Sequence, residues 1–375
     1  MIKLLFLITE DWYFLSHRLS LARVARDKGY DVIVATRVDR HRKLIEKEGF
    51  KLVGISLQRN NRNPFKELIS LFEIYKIIRH NRPDIIHNVA IKPILYGTLL
   101  ARLLRTSHIV NTFAGLGFIF TSDGFMRMIL RYILSFFFRL GFLRNKITII
   151  FQNPEDKELF IRNRIIPNTK AFVIKGSGVD TNRFTLSQEP DGTPIIVLLS
   201  RMLWDKGVGD LVDAARQLKR DKIRCRVVLI GSPDPQNPSS ISEDILKSWQ
   251  EEGVIEWWGY QDDIPGILSR SHVVVLPSYR EGLPKVLLEA AASGRPIVAT
   301  DVPGCREICR HNENGYLVKV KDPTGLKQAI QKLVEDGETR QRFGRRGREI
   351  VLNEFSEDIV VDEMLKIYET YTRSH

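Results

Sequence analysis

The sequence predicts an α/β protein with two doubly wound, Rossmann-like domains, each built on a parallel sheet. Short runs rich in Val, Ile, Leu and Phe alternate with amphipathic stretches along the 375 residues, and this alternation is typical of βαβ units. A chain of this length can form two cores of roughly 150 to 200 residues each. The glycine-containing turn 176–178 and the polar stretch 187–194 separate two such series, so we expect the domain boundary there.

In the first half, apolar runs are predicted to be strands, and helical patterns fill the gaps between them. The predicted strands are 3–8, 31–35, 51–55, 84–88, 108–111, 147–151 and 171–174. Residues 10–18 are expected to form a loop that leads into a helix over 16–28, with Ser16 as its cap. A second clear helix is predicted over 64–81.

The second half repeats the pattern. The predicted strands are 195–199, 226–230, 254–258, 273–276, 297–299 and 315–318. Helices are predicted over 210–219 and from 356 to about 372. Ligands of open α/β sheets bind beyond the carboxyl ends of the strands, so the residues that directly follow each strand are the first candidates for a functional site.

The net charge of +12 is concentrated in the first half of the chain. Residues 1–185 contain 31 Lys and Arg against 15 Asp and Glu, whereas residues 186–375 contain 26 against 30. This asymmetry suggests that the first half meets an anionic partner, such as a phospholipid surface, a lipid diphosphate or nucleic acid. Diffuse, solvated charge is the alternative.

Several classes of protein are disfavoured by composition. No apolar run approaches the ~18 residues of a membrane span, and the short apolar start leads directly into acidic residues, unlike a signal peptide. The three cysteines, Cys225, Cys305 and Cys309, are too few for a disulfide framework and have no evident zinc-binding neighbours. We therefore expect a cytoplasmic protein with no metal. No G-x-G-x-x-G follows the first strand, so no dinucleotide cofactor is expected.

The most informative segment is Glu281-Gly-Leu-Pro-Lys-Val-Leu-Leu-Glu289. Pro284 suits the first turn of a helix, which places Glu281 just before the helix and Glu289 inside it. Both acids then lie beyond the carboxyl end of the strand 273–276, beside backbone amides that attract anions. Carboxylates accept hydrogen bonds from hydroxyls, while amides and cations bind phosphate. The arrangement therefore predicts a ligand with both hydroxyls and phosphate, such as a nucleotide sugar. The alternative is that Glu281 caps the helix or forms a salt bridge and that Glu289 is a solvated helix residue.

A second candidate group follows the strand 195–199, in the segment Ser200-Arg201-Met-Leu-Trp-Asp-Lys206-Gly207. Arg201 and Lys206 are placed so that both could meet one phosphate group, where cations neutralise the charge of a departing diphosphate as a metal would in other enzymes. A surface salt bridge is the alternative for each.

The turns after two further strands contribute Gly231 and the pair Tyr260 and Gln261. These residues are predicted to flank the base of the nucleotide.

The second-half segments together resemble retaining glycosyltransferases of the GT-B fold, in particular family 4, the group 1 glycosyl transferases. The E-x7-E region, the R-x4-K-G spacing and the phrase Gly176-x-Gly178-Val-Asp180 carry the resemblance. It implies an N-terminal acceptor domain over 1–185, a nucleotide-sugar domain over 186–355 and a C-terminal helix, 356–375, that crosses back to the first domain.

The resemblance also implies roles for the candidate residues. Arg201 and Lys206 would hold the departing diphosphate, Glu281 would orient the donor sugar and Glu289 would bind ribose hydroxyls. Retention would follow from front-face attack through an oxocarbenium-like ion pair, with no protein nucleophile. The remaining donor contacts are Ser200, Gly231, Tyr260, Gln261, Gly282, Leu283, Pro284 and Lys285.

Acceptor or phosphate contacts in the first half are expected from Tyr13, His17, Arg18 and His87. For any lone histidine, a structural role is the alternative. Many relatives carry a glycine-rich loop after the first strand, where this chain has aromatic residues. The first half is similar to a bacterial subgroup that includes N-acetylgalactosaminyltransferases acting on polyprenyl-diphosphate-linked glycans, which implies a UDP-N-acetylhexosamine donor, a lipid-linked acceptor and no nucleic-acid partner.

Residues 125–144 form a basic, amphipathic pattern in which Arg127, Arg131, Ser135 and Arg139 share one helical stripe. Such a helix can lie in an anionic membrane interface, so we expect peripheral attachment to the inner face of the cytoplasmic membrane. A core helix with a solvated stripe is the alternative.

Two other functions remain open from the sequence. A nucleotide-sugar epimerase of the same fold would use the donor site without an acceptor. A non-catalytic protein that binds membranes or nucleic acid would account for the basic first half but not for the residues of the second.

Overall fold

The computed structural model describes residues 1–59, 63–116, 125–142 and 146–372, without the side chains of residues 125–127 and 372. The chain divides into two compact units, one formed by residues 1–177 together with the segment from Asp358 onward, the other by Gly178–Glu357. The break between the units lies eight residues before the expected position at 185.

The first unit is a seven-stranded sheet in which every described pairing is parallel. Its order is β3-β2-β1-β4-β5-β6-β7, so the strand order reverses between β1 and β4. The strands are β1 (Lys3–Glu10), β2 (Asp31–Arg37), β3 (Lys51–Gly54), β4 (Ile85–Val89), β5 (His108–Phe113), β6 (Ile147–Phe151) and β7 (Ala171–Val173).

Helices cover both faces of this sheet. They are α1 (Asp11–His17), α2 (Leu19–Asp27), α3 (Arg42–Lys47), α4 (Pro64–Asn81), α5 (Ile91–Leu103), α6 (Phe125–Phe142) and α7 (Pro154–Arg162). The last helix of the chain, α15 (Glu357–Thr372), packs Val361, Leu365 and Tyr368 into the same core cluster as Leu4 and Phe6 of β1. The C-terminal helix is thus part of the first unit.

The second unit is a six-stranded sheet with parallel pairings and the order β10-β9-β8-β11-β12-β13, which reverses between β8 and β11. Its strands are β8 (Ile195–Leu199), β9 (Arg226–Ile230), β10 (Glu256–Trp257), β11 (Val273–Leu276), β12 (Ile297–Thr300) and β13 (Gly315–Val318). Its helices are α8 (Val208–Arg220), α9 (Glu243–Glu251), α10 (Ile264–Ser269), α11 (Lys285–Ala292), α12 (Pro303–Ile308), α13 (Pro323–Glu335) and α14 (Gly337–Glu354).

The prediction of two doubly wound parallel sheets is confirmed. The central strands are rich in Val and Ile, and all residues of β4, β6, β11 and β12 are buried, as expected for strands covered on both faces.

The prediction that residues 10–15 form a loop and that Ser16 caps the next helix is wrong. Residues 11–17 form α1, and the hydroxyl of Ser16 lies inside this helix, where it donates to the carbonyl of Trp12 at 2.9 Å. The side chain of Asp11 accepts hydrogen bonds from the backbone amides of Asp39 (2.8 Å) and His41 (3.1 Å). These distant contacts, which the local sequence does not reveal, hold the start of α1.

Candidate active site

The candidate site of the second unit lies at the carboxyl ends of β8, β9 and β11, where the strand order reverses. Three loops meet there: residues 200–207 after β8, the turn 231–234 after β9 and residues 277–284 after β11. Ligands of open α/β sheets bind at such a switch point.

Two glycines allow the loops to approach closely. Gly207 has φ +68°, and a Cβ atom there would lie 2.1 Å from the carbonyl oxygen of Pro277. Gly231 has φ +134°, and its Cβ would lie 1.9 Å from the carbonyl oxygen of Ser200. A side chain at either position is therefore excluded both by the backbone conformation and by the neighbouring loop.

This packing brings Lys206 and Glu281 together. Lys206 Nζ donates to Glu281 Oε1 at 2.5 Å, and the side chains are 23% and 11% exposed. The backbone amide of Tyr279 donates to the carbonyl of Asp205 at 2.9 Å, which fixes one loop against the other. A partly buried, charge-assisted pair of this kind is stronger than a surface ion pair.

Arg201 is held by a carboxylate on the turn after β9. Its Nη1 donates to Asp234 Oδ2 at 2.6 Å, and Asp234 is positioned by the Ser240 hydroxyl, which accepts from the Asp234 amide at 3.0 Å. Sequence reasoning included the turn that contains Asp234 but did not identify this carboxylate as the partner of Arg201. In the sequence, the one feature that could have identified Asp234 as this partner is its position two residues after Gly231-Ser232, directly beyond the end of β9.

Glu289 lies inside α11, as predicted, and is partly buried. Burial raises the pKa of Glu289 to about 7, against the opposing charges of Lys285 and Arg183. This carboxyl group therefore titrates close to neutral pH, where the carboxylate accepts hydrogen bonds from hydroxyls and the protonated form can donate one.

The remaining predicted donor contacts occupy the same edge with different exposure. Pro284 takes the N-cap position of α11, one residue before the helix, and no described side chain caps that N-terminus. Leu283 packs against the core, and Gly282 and Lys285 are partly exposed. A Cβ on Gly304 would lie 2.4 Å from the carbonyl oxygen of Gly282, so α12 packs directly against the backbone of this segment.

Tyr260 and Gln261 follow β10 at the edge of the sheet. Tyr260 is 70% exposed, and its hydrogen bond to Asp262 raises the pKa of the phenol. The amide of Gln261 donates to the carbonyl of Trp258 at 2.9 Å. Tyr260 therefore presents a free aromatic face, whereas Gln261 stabilises its own turn.

In the first unit, the structure corrects the expectation for His87. This residue is 0% exposed, and its ring nitrogens contact the Tyr368 hydroxyl at 2.6 Å and the Thr112 hydroxyl at 2.7 Å. Burial, followed by the charge of Arg18, lowers the pKa of His87 well below its usual value. His87 is thus a neutral, internal residue with both nitrogens occupied, which leaves no atom for a ligand.

The other predicted contacts of the first unit cluster on α1 and directly after it. Tyr13 and His17 stack with ring centroids 4.1 Å apart, and His17 Nδ1 lies 2.6 Å from the Ser16 hydroxyl. Arg18 is almost fully buried, at 2% exposed.

The basic stripe predicted on α6 is only partly observed. Ser135 is buried, Arg131 is partly exposed, and the side chain of Arg127 lies outside the described residues. Arg139 is exposed and donates to the carbonyls of Arg164 (2.9 Å) and Asn163 (2.6 Å), just after α7. That Arg139 faces a membrane stays a prediction.

The exposed surface of α6 is instead mainly apolar. Its exposed apolar side chains are Met128, Ile129, Leu130, Tyr132, Ile133, Phe136, Phe137 and Leu140. Within the described ranges, no helix is long and apolar enough to cross a membrane. Within the same ranges, no cluster of three His, Cys, Asp or Glu side chains could hold a metal ion.

Comparison with known families agrees with this architecture. Residues 180–350 match the model for "Glycosyl transferases group 1", and residues 3–153 match the model for "Glycosyl transferase 4-like". The chain belongs to the group 1 glycosyltransferases. The two matches divide the chain between its two units.

Individual relatives agree with the family. A Campylobacter jejuni N,N'-diacetylbacillosaminyl-diphospho-undecaprenol α-1,3-N-acetylgalactosaminyltransferase is 29% identical, over 95% of this chain and 97% of its own length. An Escherichia coli UDP-Gal:α-D-GlcNAc-diphosphoundecaprenol α-1,3-galactosyltransferase is 23% identical, over 81% of this chain and 79% of its own. The structure of sucrose-phosphate synthase from Thermosynechococcus elongatus superposes with a TM-score of 0.81 at 19% identity, covering both chains completely, which shows that this glycosyltransferase has the GT-B fold.

Proposed function

We propose that this glycosyltransferase moves an N-acetylhexosamine from its UDP-sugar to a polyprenyl-diphosphate-linked acceptor, with retention of the anomeric configuration, in bacterial surface-glycan synthesis. The observation that carries the proposal is that Arg201, paired with Asp234, and Lys206, paired with Glu281, both lie on the loop after β8 at the switch point of the second sheet. Two cations and two carboxylates at one sheet edge suit a ligand with both phosphates and sugar hydroxyls.

In the proposed reaction, the bond between the anomeric carbon and the β-phosphate oxygen breaks, and the diphosphate leaves with the bonding electrons. Arg201 and Lys206 stabilise the charge that develops on it, the contribution that preorganised cations make in such sites. An acceptor hydroxyl attacks from the same face, and its proton passes to the departing phosphate. Cations take the role of a metal in this scheme, so we expect activity to survive chelation.

Glu281 and Glu289 have different proposed tasks. Glu281 is already paired with Lys206, and we propose that it accepts a hydrogen bond from the donor sugar while it keeps that lysine in place. Glu289 has a pKa of about 7, and its carboxylate form would accept hydrogen bonds from the ribose hydroxyls. The amides from Gly282 to Lys285 would assist at the phosphate.

The identities of donor and acceptor rest on the relatives. The C. jejuni relative is named as an N-acetylgalactosaminyltransferase and the E. coli relative as a galactosyltransferase with a UDP donor, and both names contain an undecaprenyl diphosphate glycan. The common element is the lipid-linked acceptor, whereas the sugar differs. The choice of N-acetylhexosamine follows the relative that covers more of this chain.

Exposed apolar side chains on α4 and α6, two helices that both contact α5, support a lipid acceptor. On α4, Phe65, Leu68, Ile69 and Phe72 are 53–76% exposed and recur with helical spacing, and we call them, together with the exposed apolar side chains of α6, the α4–α6 surface. Groups of exposed apolar side chains mark interaction sites. Since this half of the chain is strongly basic, we propose that the α4–α6 surface rests on an anionic phospholipid bilayer.

The deciding experiment is a product assay. Purified protein is incubated with UDP-GlcNAc, UDP-GalNAc, UDP-Gal, UDP-Glc or GDP-mannose and a polyprenyl-diphosphate-linked acetamido sugar, with and without EDTA. We expect one UDP-N-acetylhexosamine to give an elongated lipid with an α-linkage. Epimerised donor without elongation would identify an epimerase instead, and an inverted product would remove the retaining mechanism.

A further inference from the structure

Arg18, at the junction of α1 and α2, is buried in an unusual way. Its side chain is 2% exposed, and two of its nitrogens, Nε and Nη2, have no hydrogen-bond partner among the residues that the structure describes. Among the described residues, no carboxylate forms an ion pair with it. Removing a guanidinium from water without a counter-ion is strongly unfavourable, so a fold that retains one there requires an explanation.

The other two buried arginines of the described chain provide the comparison. Arg295 donates to the carbonyls of Leu268 and Gln188 and to Ser187. Arg340 pairs with Glu189 and donates to the carbonyl of Val334. All their nitrogens that are buried have partners. Arg18 is the exception.

The two unpartnered nitrogens lie on one edge of the guanidinium. Nε and Nη2 are the pair that other arginines in this chain present to a carboxylate: Arg23 uses both on Glu48, at 2.7 and 2.6 Å, and Arg216 uses both on Glu252, at 2.8 and 2.7 Å. This edge makes the two parallel hydrogen bonds that recognise carboxylate and phosphate oxygens. Arg18 therefore keeps one complete oxyanion-binding edge unused by the protein.

Neutral groups and a second cation lie near Arg18. The Tyr13 hydroxyl is hydrogen-bonded to Arg18, and the charge of Arg59 acts on the same hydroxyl. The charge of Arg18 also acts on His87, which is kept neutral by burial. The carboxylate of Glu10, at the end of β1, is paired with Arg37 at 3.0 Å and also interacts with Arg59, so two arginines oppose its negative charge.

The position of Arg18 also fits a ligand. It follows β1 and α1, and its charge acts on His87 of β4, so it lies near the point where the strand order of the first sheet reverses. Arg201 follows β8, at the corresponding reversal of the second sheet. Tyr13, which is hydrogen-bonded to Arg18, is partly exposed, so we expect a ligand to approach the guanidinium beside Tyr13.

We propose that Arg18 is the core of an anion site within the first unit that binds a phosphate group of the acceptor diphosphate. The proposal rests on the proposed function for the identity of the acceptor, but the anion site itself rests on the Arg18 geometry alone. The ligand chemistry is a phosphate oxyanion. It could come from the acceptor or from the donor diphosphate, and the test separates these sources.

The test uses inorganic pyrophosphate and isothermal titration calorimetry. For these binding measurements, all substitutions at Arg18 are made in the double variant Arg201→Gln/Lys206→Gln, which lacks the two cations of the second unit that are proposed to bind the donor phosphates. We expect this variant to bind pyrophosphate but not UDP, and we expect Arg18→Gln in the same background to weaken pyrophosphate binding at least tenfold. Arg23→Gln is the control, since it removes the same charge from the same unit at an exposed ion pair and should change affinity less than twofold.

Two further variants separate an anion site from a structural arginine. Arg18→Lys keeps the positive charge but lacks the paired Nε and Nη2 donors of the guanidinium. We expect this variant to fold and to bind pyrophosphate several-fold more weakly. In the Arg201→Gln/Lys206→Gln background, Arg18→Met should have an unchanged or higher Tm without ligand and no Tm increase with pyrophosphate. A lower Tm with undiminished pyrophosphate binding would overturn the proposal, because it would mean that buried water satisfies the guanidinium and that no anion is bound.

The acceptor assignment has its own readout in the product assay. Arg18→Lys should raise the KM for the lipid-linked acceptor at least tenfold and leave the KM for the UDP-sugar unchanged. A change in the donor KM alone would assign the site to the donor diphosphate and refute the acceptor assignment. If the wild type binds pyrophosphate through Arg18 but transfers no sugar, the proposed function fails and the anion site stands.

Discussion

Lys206 and Glu281, on loops that follow two neighbouring strands, share a 2.5 Å hydrogen bond at the carboxyl edge of the second sheet. The pair couples the cation proposed for the leaving diphosphate to the acid proposed for the donor sugar. Loss of the lysine should therefore affect catalysis more than folding. We predict that Lys206→Met lowers kcat by about 10²–10³-fold, the usual effect of removing one preorganised charge from a transition state.

The measurement is the initial rate of sugar transfer at saturating donor, together with Tm. Arg226→Gln is the control: it breaks a more exposed ion pair with Glu256, 2.7 Å apart, in the same unit, and should change kcat less than twofold. Equal losses of rate in the two variants would contradict a specific role for Lys206.

Glu289 predicts a pH dependence of donor binding. Burial raises the pKa of Glu289 to about 7, so the carboxyl group that is proposed to accept hydrogen bonds from the ribose hydroxyls is mainly protonated at pH 6. We expect the affinity for UDP to rise up to about tenfold between pH 6 and 8 in the wild type. Glu289→Gln should show a weaker pH dependence, measured by calorimetry at constant ionic strength.

The raised pKa of Glu289 also predicts how the free energy of unfolding changes with pH. Between pH 4.5 and 7 the folded protein binds more protons at Glu289 than the unfolded chain does, so this group makes the free energy of unfolding fall as pH rises through that window. Relative to the wild type, Glu289→Gln should therefore gain stability from pH 4.5 to 7, by at most about 3 kcal/mol. A constant difference between the two proteins across this range would contradict the raised pKa.

Gly207 is predicted to be irreplaceable for steric reasons. A Cβ there would lie 2.1 Å from the carbonyl oxygen of Pro277, in addition to a positive φ of +68°. We expect Gly207→Ala to reduce the free energy of unfolding by roughly 2–4 kcal/mol, since strain and overpacking add, and to weaken UDP binding. The measurement is urea denaturation with and without UDP.

Gly253 provides a matched control for this variant. Its φ is +67°, but a Cβ there would meet only the flexible tip of Lys219, at 3.3 Å. Gly253→Ala should therefore cost about 1 kcal/mol, with UDP binding unchanged. If both variants lose the same stability, the approach to Pro277 is not what makes Gly207 necessary.

Much of the second unit was predictable from sequence because its strands are continuous apolar runs. The bounds of β8, β9, β11 and β13 agree with the predicted ones. The edge strand β10 is shorter than predicted, at two residues, because an edge strand pairs on one side only and its ends are less constrained. The placement of Glu289 within a helix also followed from local helix-forming residues.

Other features depend on contacts between distant parts of the chain. The pairing of Arg201 with Asp234 requires the turn after β9 to lie beside the loop after β8, and α1 forms where local propensity favours a loop. The apolar outer surface of α6 was missed for a related reason. Both faces of α6 carry apolar residues, so the sequence pattern does not show which face packs on the sheet. In the structure, Phe138 and Phe142 lie on the face that packs into the core.

The α4–α6 surface predicts membrane binding that depends on apolar side chains. We expect the double variant Tyr132→Glu/Phe136→Glu to reduce sedimentation with vesicles containing anionic phospholipid at least fivefold, since each change places a charge where the acyl boundary would be. Phe172→Glu is the control, because Phe172 is 46% exposed on β7, outside this surface. Equal sedimentation of all three proteins would contradict a role of the α4–α6 surface.

The buried hydrogen bond between Tyr368 and His87 predicts an effect on stability. Tyr368→Phe leaves one His87 nitrogen without its partner in a fully buried position, which should cost about 1–3 kcal/mol of unfolding free energy. Tyr75→Phe, which removes an exposed hydroxyl that accepts from Arg79 at 3.1 Å, should cost less than about 0.5 kcal/mol. Chemical denaturation of the two variants measures the difference, and equal values would contradict a stabilising role for the Tyr368–His87 contact.

The contribution of α15 to the first core has a consequence for biosynthesis. Residues 1–177 leave the ribosome before α15 does, so the apolar surface that Val361, Leu365 and Tyr368 cover stays open until α15 has been translated. The second unit, contiguous from Gly178 to Glu357, can complete its core before the first unit does. The unit synthesised first is therefore the last to be finished, and a nascent chain that stops short of α15 exposes this apolar surface to chaperones and proteases.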